Sequence, residues 1–346
     1  MSDDIHIRRE GSAGRITLTR PKALNALSYD MAMAIDAALK DWLSDESVHL
    51  VILDAEGEKA FCAGGDIQQL YESGRAGDFA YGQRFWRDEY RLNARLARYP
   101  KPIVSFMQGF VMGGGVGIGC HAGVRVVGES TQIAMPECGI GLVPDVGGSL
   151  LLARAPGQMG AYLGLTAARM SAGDAIEMGF ADLFVPEARW PGLIQMLCDG
   201  SDISILTSEA HPADAGLMAH RAEVDHLFSG SLAEIEGKLA AAEGEFAEAA
   251  LKAVRRNSPL AMAVTLDMLA RLREETDIRV ALQLEYRFTA RSMEHADFLE
   301  GIRAQIIDRD RNPTWRHGIA DVTEAAVAEM LAPLGAEELT FEEELS

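Results

Sequence analysis

The sequence predicts an α/β protein, because strand patterns and helix patterns alternate along its first part. Residues 48–53 form an apolar run that Asp54 ends, which is typical of a buried strand. Ser28 is a good N-cap for an amphipathic helix that is expected to reach about Ser44. Beyond about Trp190 the strand patterns fade, and Ala, Glu, Leu and Arg dominate. We therefore expect an α/β core followed by a helical region.

Further short elements are expected within the core. Residues 16–19 alternate in polarity and predict a strand. Residues 78–98 predict a second helix, which leads into a strand at 102–106. The glycine-rich residues 109–119 are expected to become helical, and residues 133–135 predict one more strand.

Helix signals dominate the C-terminal part. Residues 231–234 form a capping box, and residues 258–259 place a serine N-cap before a proline. Apolar side chains recur at helical spacing over residues 278–286. Because no Pro/Gly/Ser linker intervenes, we assign residues 1–200 to the core and 201–346 to a helical region packed on it.

Length and charge exclude several classes of protein. The chain has 346 residues, of which 48% are hydrophobic and 24% charged, as in ordinary globular proteins. Asp and Glu number 52 against 32 Lys and Arg, so the formal net charge is −20. This acid excess, with no basic stripe, argues against nucleic acid and against an anionic membrane surface as partners.

Cysteine usage and the N-terminus predict a reduced protein with a cytoplasmic location. Cys62, Cys120, Cys138 and Cys198 form no C-x-x-C pair, and no His/Cys group has metal-ligand spacing. The acidic residues 1–4 lack the basic character of a signal or transit peptide. No apolar run approaches the roughly 20 residues of a membrane span.

Two glycine-rich segments have the composition of sites where the backbone meets a ligand. Residues 60–67 suggest a tight turn whose N–H groups are free for an anion or a polarised oxygen; the alternative is a simple strand-to-helix turn with Asp66 near the helix start. Residues 109–117 contain three consecutive glycines, which permit close approach; the alternative is close helix packing. A nucleotide-binding interpretation of residues 109–117 is disfavoured. A Rossmann motif would need a downstream acidic residue for the ribose, and a P-loop would need the sequence G-K-[ST], which is absent.

A third segment, residues 135–148, places Glu137 and Asp145 in a stretch rich in Pro and Gly. Carboxylates in apolar loops tend to have raised pKa values and suit acid–base or nucleophilic catalysis. The alternatives are that Asp145 caps a helix starting near Val146 and that Glu137 is a solvated loop acid.

In this order and spacing, the three segments resemble the crotonase (enoyl-CoA hydratase/isomerase) superfamily. Residues 20–27, Arg-Pro-Lys-Ala-Leu-Asn-Ala-Leu, are similar to its acyl-CoA loop. In that family each glycine-rich segment gives one backbone N–H to an oxyanion hole for the thioester oxygen. The resemblance implies that Gly65 and Gly114 are these donors.

Further motifs are similar to the 3-hydroxyisobutyryl-CoA hydrolase branch of this superfamily. They are an F-x-x-E-Y-x-x-N-like segment at 85–93, the loop motifs at 135–137 and 144–148, and two C-terminal motifs at 297–304 and 307–315. The resemblance runs from about Ile16 to Trp315, which is most of the chain.

The resemblance implies a spiral of short ββα turns and hydrolysis of a short 3-hydroxyacyl-CoA, a step of valine catabolism. Glu137 is implied to act as nucleophile, through an anhydride, or as base for water. Asp145 and Glu89 are implied to hydrogen-bond the substrate's hydroxyl and to set the proton affinity of Glu137. No metal or redox cofactor is needed, coenzyme A being part of the substrate. Homo-oligomers are frequent in the superfamily but vary in this branch.

Departures from the hydratase pattern bear on the reaction. A typical hydratase has a glutamate two residues after its glycine triplet, where this chain has Gly117, and only Glu137 of the usual pair remains. Asp145 stands where hydratases usually carry glycine, and Val143 replaces an aromatic residue frequent in the hydrolase branch. The competing hypotheses are an enoyl-CoA isomerase or hydratase, and a non-catalytic acyl-CoA-binding protein.

Overall fold

The fold was analysed in a computed structural model, which describes residues 4–341. Nine strands occur in this range, all before residue 185. They are β1 (Ile5–Glu10), β2 (Ala13–Leu18), β3 (Leu50–Ala55), β4 (Ala60–Cys62), β5 (Ile103–Met107), β6 (Phe110–Met112), β7 (Val124–Val127), β8 (Gln132–Ala134) and β9 (Leu183–Phe184).

Sixteen α-helices connect and follow these strands in the same range. They are α1 (Tyr29–Leu43), α2 (Gln68–Arg75), α3 (Phe79–Ala97), α4 (Gly114–Gly119), α5 (Gly148–Arg154), α6 (Met159–Thr166), α7 (Ala172–Glu177), α8 (Trp190–Cys198), α9 (Ser204–Ser208), α10 (Arg221–Leu227), α11 (Leu232–Ala241), α12 (Glu245–Arg256), α13 (Pro259–Leu272), α14 (Ile278–His295), α15 (Phe298–Ile302) and α16 (Glu324–Met330).

The strands form two sheets that the chain visits alternately. The larger sheet has the order β1-β2-β3-β5-β7-β9, and the smaller has the order β4-β6-β8. Only β1 and β2 pair in antiparallel fashion; all other pairs are parallel. Each strand of the large sheet from β3 to β7 is followed by one of the small sheet, and then the chain returns. This is the spiral of ββα turns that the sequence resemblance implied.

Several predicted helix starts are confirmed by their caps. The Ser28 hydroxyl accepts a hydrogen bond from the Met31 amide at the start of α1. Asp78 caps α3 in the same way, and Ser231 forms the predicted capping box with Glu234 at α11. The serine caps are local interactions, which is why the sequence alone located them, whereas Asp78 was predicted only as the first residue of its helix.

The predicted strands are confirmed within a few residues, but the six-residue strand β1 and the two- to four-residue strands β4, β6, β7 and β9 were missed. The segment 109–119, expected to be a glycine-rich turn leading into a helix, contains β6 before α4 begins. A three-residue strand has too few positions to show a polarity period. It forms here because parallel neighbours pair with it on both sides.

The C-terminal helices pack directly on the first half of the chain. Helix α14 lies against α3, and α13 lies against α5 and α6. The division into residues 1–200 and 201–346 stays a prediction. Among residues 4–341, no helix is both long and apolar enough to cross a membrane.

The tight packing of Gly115 predicts a specific sensitivity of the fold. A Cβ atom at Gly115 would overlap the carbonyl oxygen of Cys62, whereas one at Gly237, inside α11, would meet nothing within 4 Å. Gly115→Ala should therefore lower the free energy of unfolding by about 1–3 kcal/mol. The matched change Gly237→Ala should raise it by about 0.5–1 kcal/mol, because alanine loses less backbone entropy in a helix. Urea unfolding of both variants measures this; equal effects would contradict the packing argument.

Candidate active site

The loop of residues 20–27 fixes the first glycine-rich segment. Its Asn25 side chain is fully buried and donates hydrogen bonds to the carbonyl oxygens of Glu56 and Ala60, each at 2.9 Å. Leu27 pairs with the segment on both sides of Gly65, donating to the Gly64 carbonyl and accepting from the Asp66 amide. In a parallel bridge of this kind, the N–H of the middle residue points away from its partner strand. The Gly65 amide therefore faces away from the loop.

The second glycine-rich segment passes beside the first. It leaves the small sheet at Met112, turns at Gly113 with φ +48°, and enters α4 at Gly114. A Cβ atom at Gly114 would lie 3.3 Å from the amide nitrogen of Gly65. Since an amide nitrogen lies about 2.5 Å from its own Cβ position, the two amide nitrogens are less than about 6 Å apart. Neither amide donates a hydrogen bond to a described residue.

Both glycines open into a cavity of about 350 Å³. Its walls are mainly apolar, and Arg256 is the one basic residue among the described residues that line it. The apolar lining includes Ile67, Leu70, Phe85, Trp86, Leu142, Val146 and Phe298.

Glu137 enters this cavity from the short 3₁₀ turn after β8. Its side chain lies against Gly113, where a Cβ atom would come within 2.8 Å of Glu137 Oε1. Its other oxygen, Oε2, is buried without a hydrogen-bond partner. Burial, and after it the charge of Asp145, raise the pKa of Glu137 well above the usual range. A raised pKa makes the ionised form of this carboxyl group a stronger base than an exposed carboxylate.

Asp145 faces the same cavity and is 5% exposed. The Tyr90 hydroxyl, on α3, donates a hydrogen bond of 2.7 Å to its Oδ2. Burial raises the pKa of Asp145 to about 7, although the hydrogen bond from Tyr90 acts in the opposite direction.

Glu89, one position earlier on α3, is the third carboxyl group of the cavity. Its Oε1 is buried without a partner, and a Cβ atom at Gly114 would lie 3.2 Å from it. Burial, followed by the charge of Asp145, raises the pKa of Glu89 to about 8.

The structure thus brings together all five residues that the sequence singled out, because each of them lines this one cavity. The alternative interpretations of the two loop acids are wrong. Helix α5 begins at Gly148 with Gly147 as its N-cap, so Asp145 does not cap it. Glu137 is buried rather than solvated. Asp66 lies near the start of a helix as that alternative expected, directly before Ile67, the N-cap of α2, and it pairs with Arg20.

Three residues around the loop acids were missed by sequence reasoning. Tyr90 lies in a motif that had been noticed, but its bond to Asp145 spans 55 positions of sequence. Glu285 accepts hydrogen bonds from the amides of Gly147 and Ser149, beneath the Asp145 turn. A signal existed for Glu285, since it places a charge on the apolar face of the 278–286 pattern. His121, whose Nε2 bonds the carbonyl oxygen of Val146, lies outside the three segments that the sequence singled out.

Among residues 4–341, no cluster of three or more His, Cys, Asp or Glu side chains has an arrangement that could hold a metal ion. The polar groups of the cavity are instead two backbone amides and three carboxyl groups, with Arg256 and Gln305 in its wall. Such a set can stabilise a developing negative charge on oxygen and transfer protons beside it.

A family model described as enoyl-CoA hydratase/isomerase matches residues 13–331. The chain belongs to the enoyl-CoA hydratase/isomerase family. The chain is similar to a protein from Rhodobacter sphaeroides whose crystal structure is named enoyl-CoA hydratase. The two sequences are 59% identical, the TM-score is 0.94, and the match covers 98% of this chain and 100% of the other. A crystal structure from Mycobacterium thermoresistibile is named carnitinyl-CoA dehydratase. Its sequence is 42% identical to this chain, the TM-score is 0.94, and the match covers 99% of this chain and 100% of the other. The predicted family and fold are confirmed.

Other family members carry the name 3-hydroxyisobutyryl-CoA hydrolase, mitochondrial. The protein from Gallus gallus is 36% identical over 97% of this chain and 90% of its own length. The protein from Danio rerio is 38% identical over 97% of this chain and 91% of its own length. Similar family members therefore bear the names of a hydratase, a dehydratase and a hydrolase, and the geometry of the site has to discriminate among these reactions.

The environment of Glu89 predicts how stability depends on pH. Its pKa is raised from 4.5 to about 8 on folding, so its favourable contribution is fully present below 4.5 and is lost as pH rises through about 8. In Glu89→Gln, which cannot ionise, the free energy of unfolding should therefore fall less on going from pH 5 to pH 8. The difference from wild type should be about 1 kcal/mol for each pH unit.

Urea unfolding at a series of pH values measures this difference. Glu294→Gln is the matched control, because the Glu294 side chain is 58% exposed at the end of α14. If Glu89→Gln and Glu294→Gln gave the same pH dependence, the raised pKa of Glu89 would be wrong.

Proposed function

We propose that the protein hydrolyses a short 3-hydroxyacyl-CoA thioester, with 3-hydroxyisobutyryl-CoA as its foremost substrate, to coenzyme A and the free hydroxy acid. One observation carries the proposal: Glu137 and Asp145 share a cavity with two unpartnered glycine amides, while position 117 has no room for a second glutamate. The names of the Gallus gallus and Danio rerio relatives support the same reaction.

The two amides are proposed to form the oxyanion hole. When a nucleophile adds to the thioester carbonyl, the negative charge collects on its oxygen. Gly65 and Gly114 would each donate one hydrogen bond to that oxygen. Each such donor contributes about 2.7–4 kcal/mol of transition-state stabilisation in comparable sites. Because these amides have no partner among the described residues, no protein hydrogen bond has to break first.

Glu137 is proposed to start the reaction from beside the oxyanion hole. As a base, it takes a proton from water while the water oxygen bonds to the carbonyl carbon; as a nucleophile, it forms an anhydride that water then hydrolyses. In both routes the C–S bond breaks, the thiolate of coenzyme A takes up a proton, and water supplies the new carboxyl oxygen. Because burial raises the pKa of Glu137, its ionised form is a stronger base and nucleophile than an exposed carboxylate would be.

Position 117 disfavours hydration of a double bond. A Cβ atom at Gly117 would lie 2.8 Å from Asn93 Nδ2 and 2.8 Å from Val146 Cβ. The space that a hydratase fills with its first glutamate is therefore occupied by these two side chains. Water addition across a double bond would lack one of its two carboxylates, whereas thioester hydrolysis needs only Glu137 in this role.

Asp145 and Glu89 are proposed to bind the hydroxyl group of the substrate. A hydroxyl group can donate to one carboxyl oxygen and accept from a protonated one. With pKa values of about 7 and about 8, the two groups can supply both partners near neutral pH. An acyl group without a hydroxyl would leave these buried polar atoms unpaired, which costs binding free energy.

Three further properties belong to the proposal. The amides and carboxyl groups supply the chemistry of hydrolysis, so no metal or redox cofactor is required. The four cysteines are free and buried, which suits a reducing compartment such as the cytoplasm; fractionation of the source cells tests this location. With 3-hydroxyisobutyryl-CoA as substrate, the reaction belongs to valine catabolism.

A thiol-release assay tests the proposed reaction directly. The purified protein should release coenzyme A from 3-hydroxyisobutyryl-CoA and 3-hydroxypropionyl-CoA, and more slowly from isobutyryl-CoA. Prior treatment with EDTA should leave the rates unchanged. If the protein instead shifted or hydrated enoyl-CoA double bonds and released no thiol, the hydrolase proposal would be wrong and the protein would be an isomerase or a hydratase. Tight binding without any product would indicate an acyl-CoA-binding protein.

Substitution of the two loop acids tests their roles. Glu137→Gln removes the charge and the nucleophile at nearly constant size, so kcat should fall at least about 100-fold. Asp145→Asn should lower kcat/KM more for 3-hydroxyisobutyryl-CoA than for isobutyryl-CoA, because the amide cannot replace the carboxylate toward the hydroxyl. Glu294→Gln is the control on α14. If Asp145→Asn changed neither kcat nor the ratio of the kcat/KM values for the two substrates, Asp145 would have no role in binding the substrate's hydroxyl.

A further inference from the structure

The turn that carries Asp145 has an unfavourable backbone conformation. Val146, the next residue, has φ +54°, and Gly147 has φ +79°. Left-handed φ values are rare for β-branched residues, because Cβ crowds the backbone. A residue of this kind persists only where its surroundings hold it. Val146 also lines the cavity, so the turn determines where both Asp145 and part of the cavity wall lie.

Two side chains hold this turn from outside the cavity. His121 Nε2 lies 2.8 Å from the Val146 carbonyl oxygen. Glu285, fully buried on α14, accepts hydrogen bonds from the Gly147 amide at 2.8 Å and from the Ser149 amide at 3.2 Å. It also accepts a hydrogen bond from the Ser149 hydroxyl. Neither His121 nor Glu285 is part of the cavity wall.

The hydrogen bonds of both groups are compatible with neutral pH. Burial lowers the pKa of His121 to about 4, so its ring is neutral, and the Val146 carbonyl can only accept. The proton therefore lies on Nε2. Burial raises the pKa of Glu285 to about 8. The Ser149 hydroxyl can donate to the carboxylate or accept from the protonated acid, so Glu285 holds the turn in either form.

We propose that Glu285 and His121 are positioning residues that act through Asp145: together they hold the Asp145–Val146–Gly147 turn in the conformation that directs the Asp145 carboxyl into the cavity. The proposal rests on the proposed function, in which Asp145 binds the hydroxyl of the substrate. It assigns a role in the reaction to α14, a helix whose contacts with the turn come from more than 130 residues further along the chain.

Kinetics of Glu285 variants test the proposal. Glu285→Ala should lower kcat for 3-hydroxyisobutyryl-CoA about 10- to 100-fold, and should lower kcat/KM more for it than for isobutyryl-CoA, because a displaced Asp145 no longer holds the substrate's hydroxyl. Glu285→Gln keeps an acceptor for the Gly147 amide and a donor for the Ser149 hydroxyl and loses only the longer bond from the Ser149 amide, so it should retain kcat within about threefold of wild type. Glu294→Ala, on the same helix, is the matched control. Wild-type kcat in Glu285→Ala would overturn the proposal.

A double-variant cycle separates positioning from general stability. If Glu285 acts through Asp145, then Asp145→Asn combined with Glu285→Ala should lose no more kcat, and no more preference for hydroxylated substrates, than Asp145→Asn alone. Losses that multiply would show that Glu285 acts independently of Asp145, which contradicts the proposal.

A second pair of variants, at His121, tests the same turn if Glu285→Ala does not fold. His121→Gln can keep a donor near Nε2, whereas His121→Leu cannot. Only His121→Leu should lower kcat. Equal kcat values in the two variants would show that His121 does not hold the Asp145–Val146–Gly147 turn, which contradicts the proposal.

A structural measurement distinguishes this inference from the proposed function. If the wild-type protein released no thiol from any 3-hydroxyacyl-CoA, the proposed function would be wrong. A crystal structure of Glu285→Ala, or of His121→Leu, would still test the bracing. We expect Val146 to relax to negative φ and the 2.7 Å bond between Tyr90 and Asp145 to lengthen or break. An unchanged turn would contradict the bracing.

Discussion

The close approach of two backbone segments is the constraint on which the site depends. Gly115 packs on the Cys62 carbonyl, Gly114 lies beside the Gly65 amide, and Gly113 lies against Glu137. A side chain at Gly113 or Gly115 would push these segments apart. The spiral of paired strands holds this arrangement, because β4 and β6 are neighbours in the small sheet and each ends within one or two residues of the glycines of its segment.

Burial is the second determinant of the site. Glu89, Glu137 and Asp145 are at most 5% exposed, and their pKa values are raised chiefly because water is excluded from them. The same exclusion strengthens hydrogen bonds to a developing oxyanion. It also disfavours ionisation of the folded protein, so the carboxyl groups that suit the site to proton transfer weaken the fold at alkaline pH.

The helical C-terminal region contributes to the site as much as the strands do. Phe298, on α15, packs against Trp86 with ring centroids 5.5 Å apart, and both line the cavity. Tyr286, on α14, meets the ring of Tyr90 edge-on, next to the bond between Tyr90 and Asp145. The apolar enclosure that raises the pKa values therefore depends on residues far beyond the last strand.

The names of similar proteins leave the reaction open, since they include a hydratase, a dehydratase and hydrolases. The structure narrows the choice at a single position. Gly117 packs against Asn93 and Val146, so a carboxylate cannot be added there without displacing them. The absence of one hydratase acid is thus a consequence of the packing around the cavity.

The sequence by itself determined the elements and residues whose signals are local. Caps at Ser28, Ser231 and Ser258 located their helices, and the glycine runs and the two loop acids identified candidate site residues, because turn and cap chemistry depends on near neighbours. The family motifs added the spiral fold. Only the tertiary structure decided that Asp145 is a buried acid rather than a helix cap, and that Glu285 and His121 lie beneath its turn. These contacts join residues 25 to 138 positions apart. No local pattern encodes them, since they exist only once the sheets and helices have packed together.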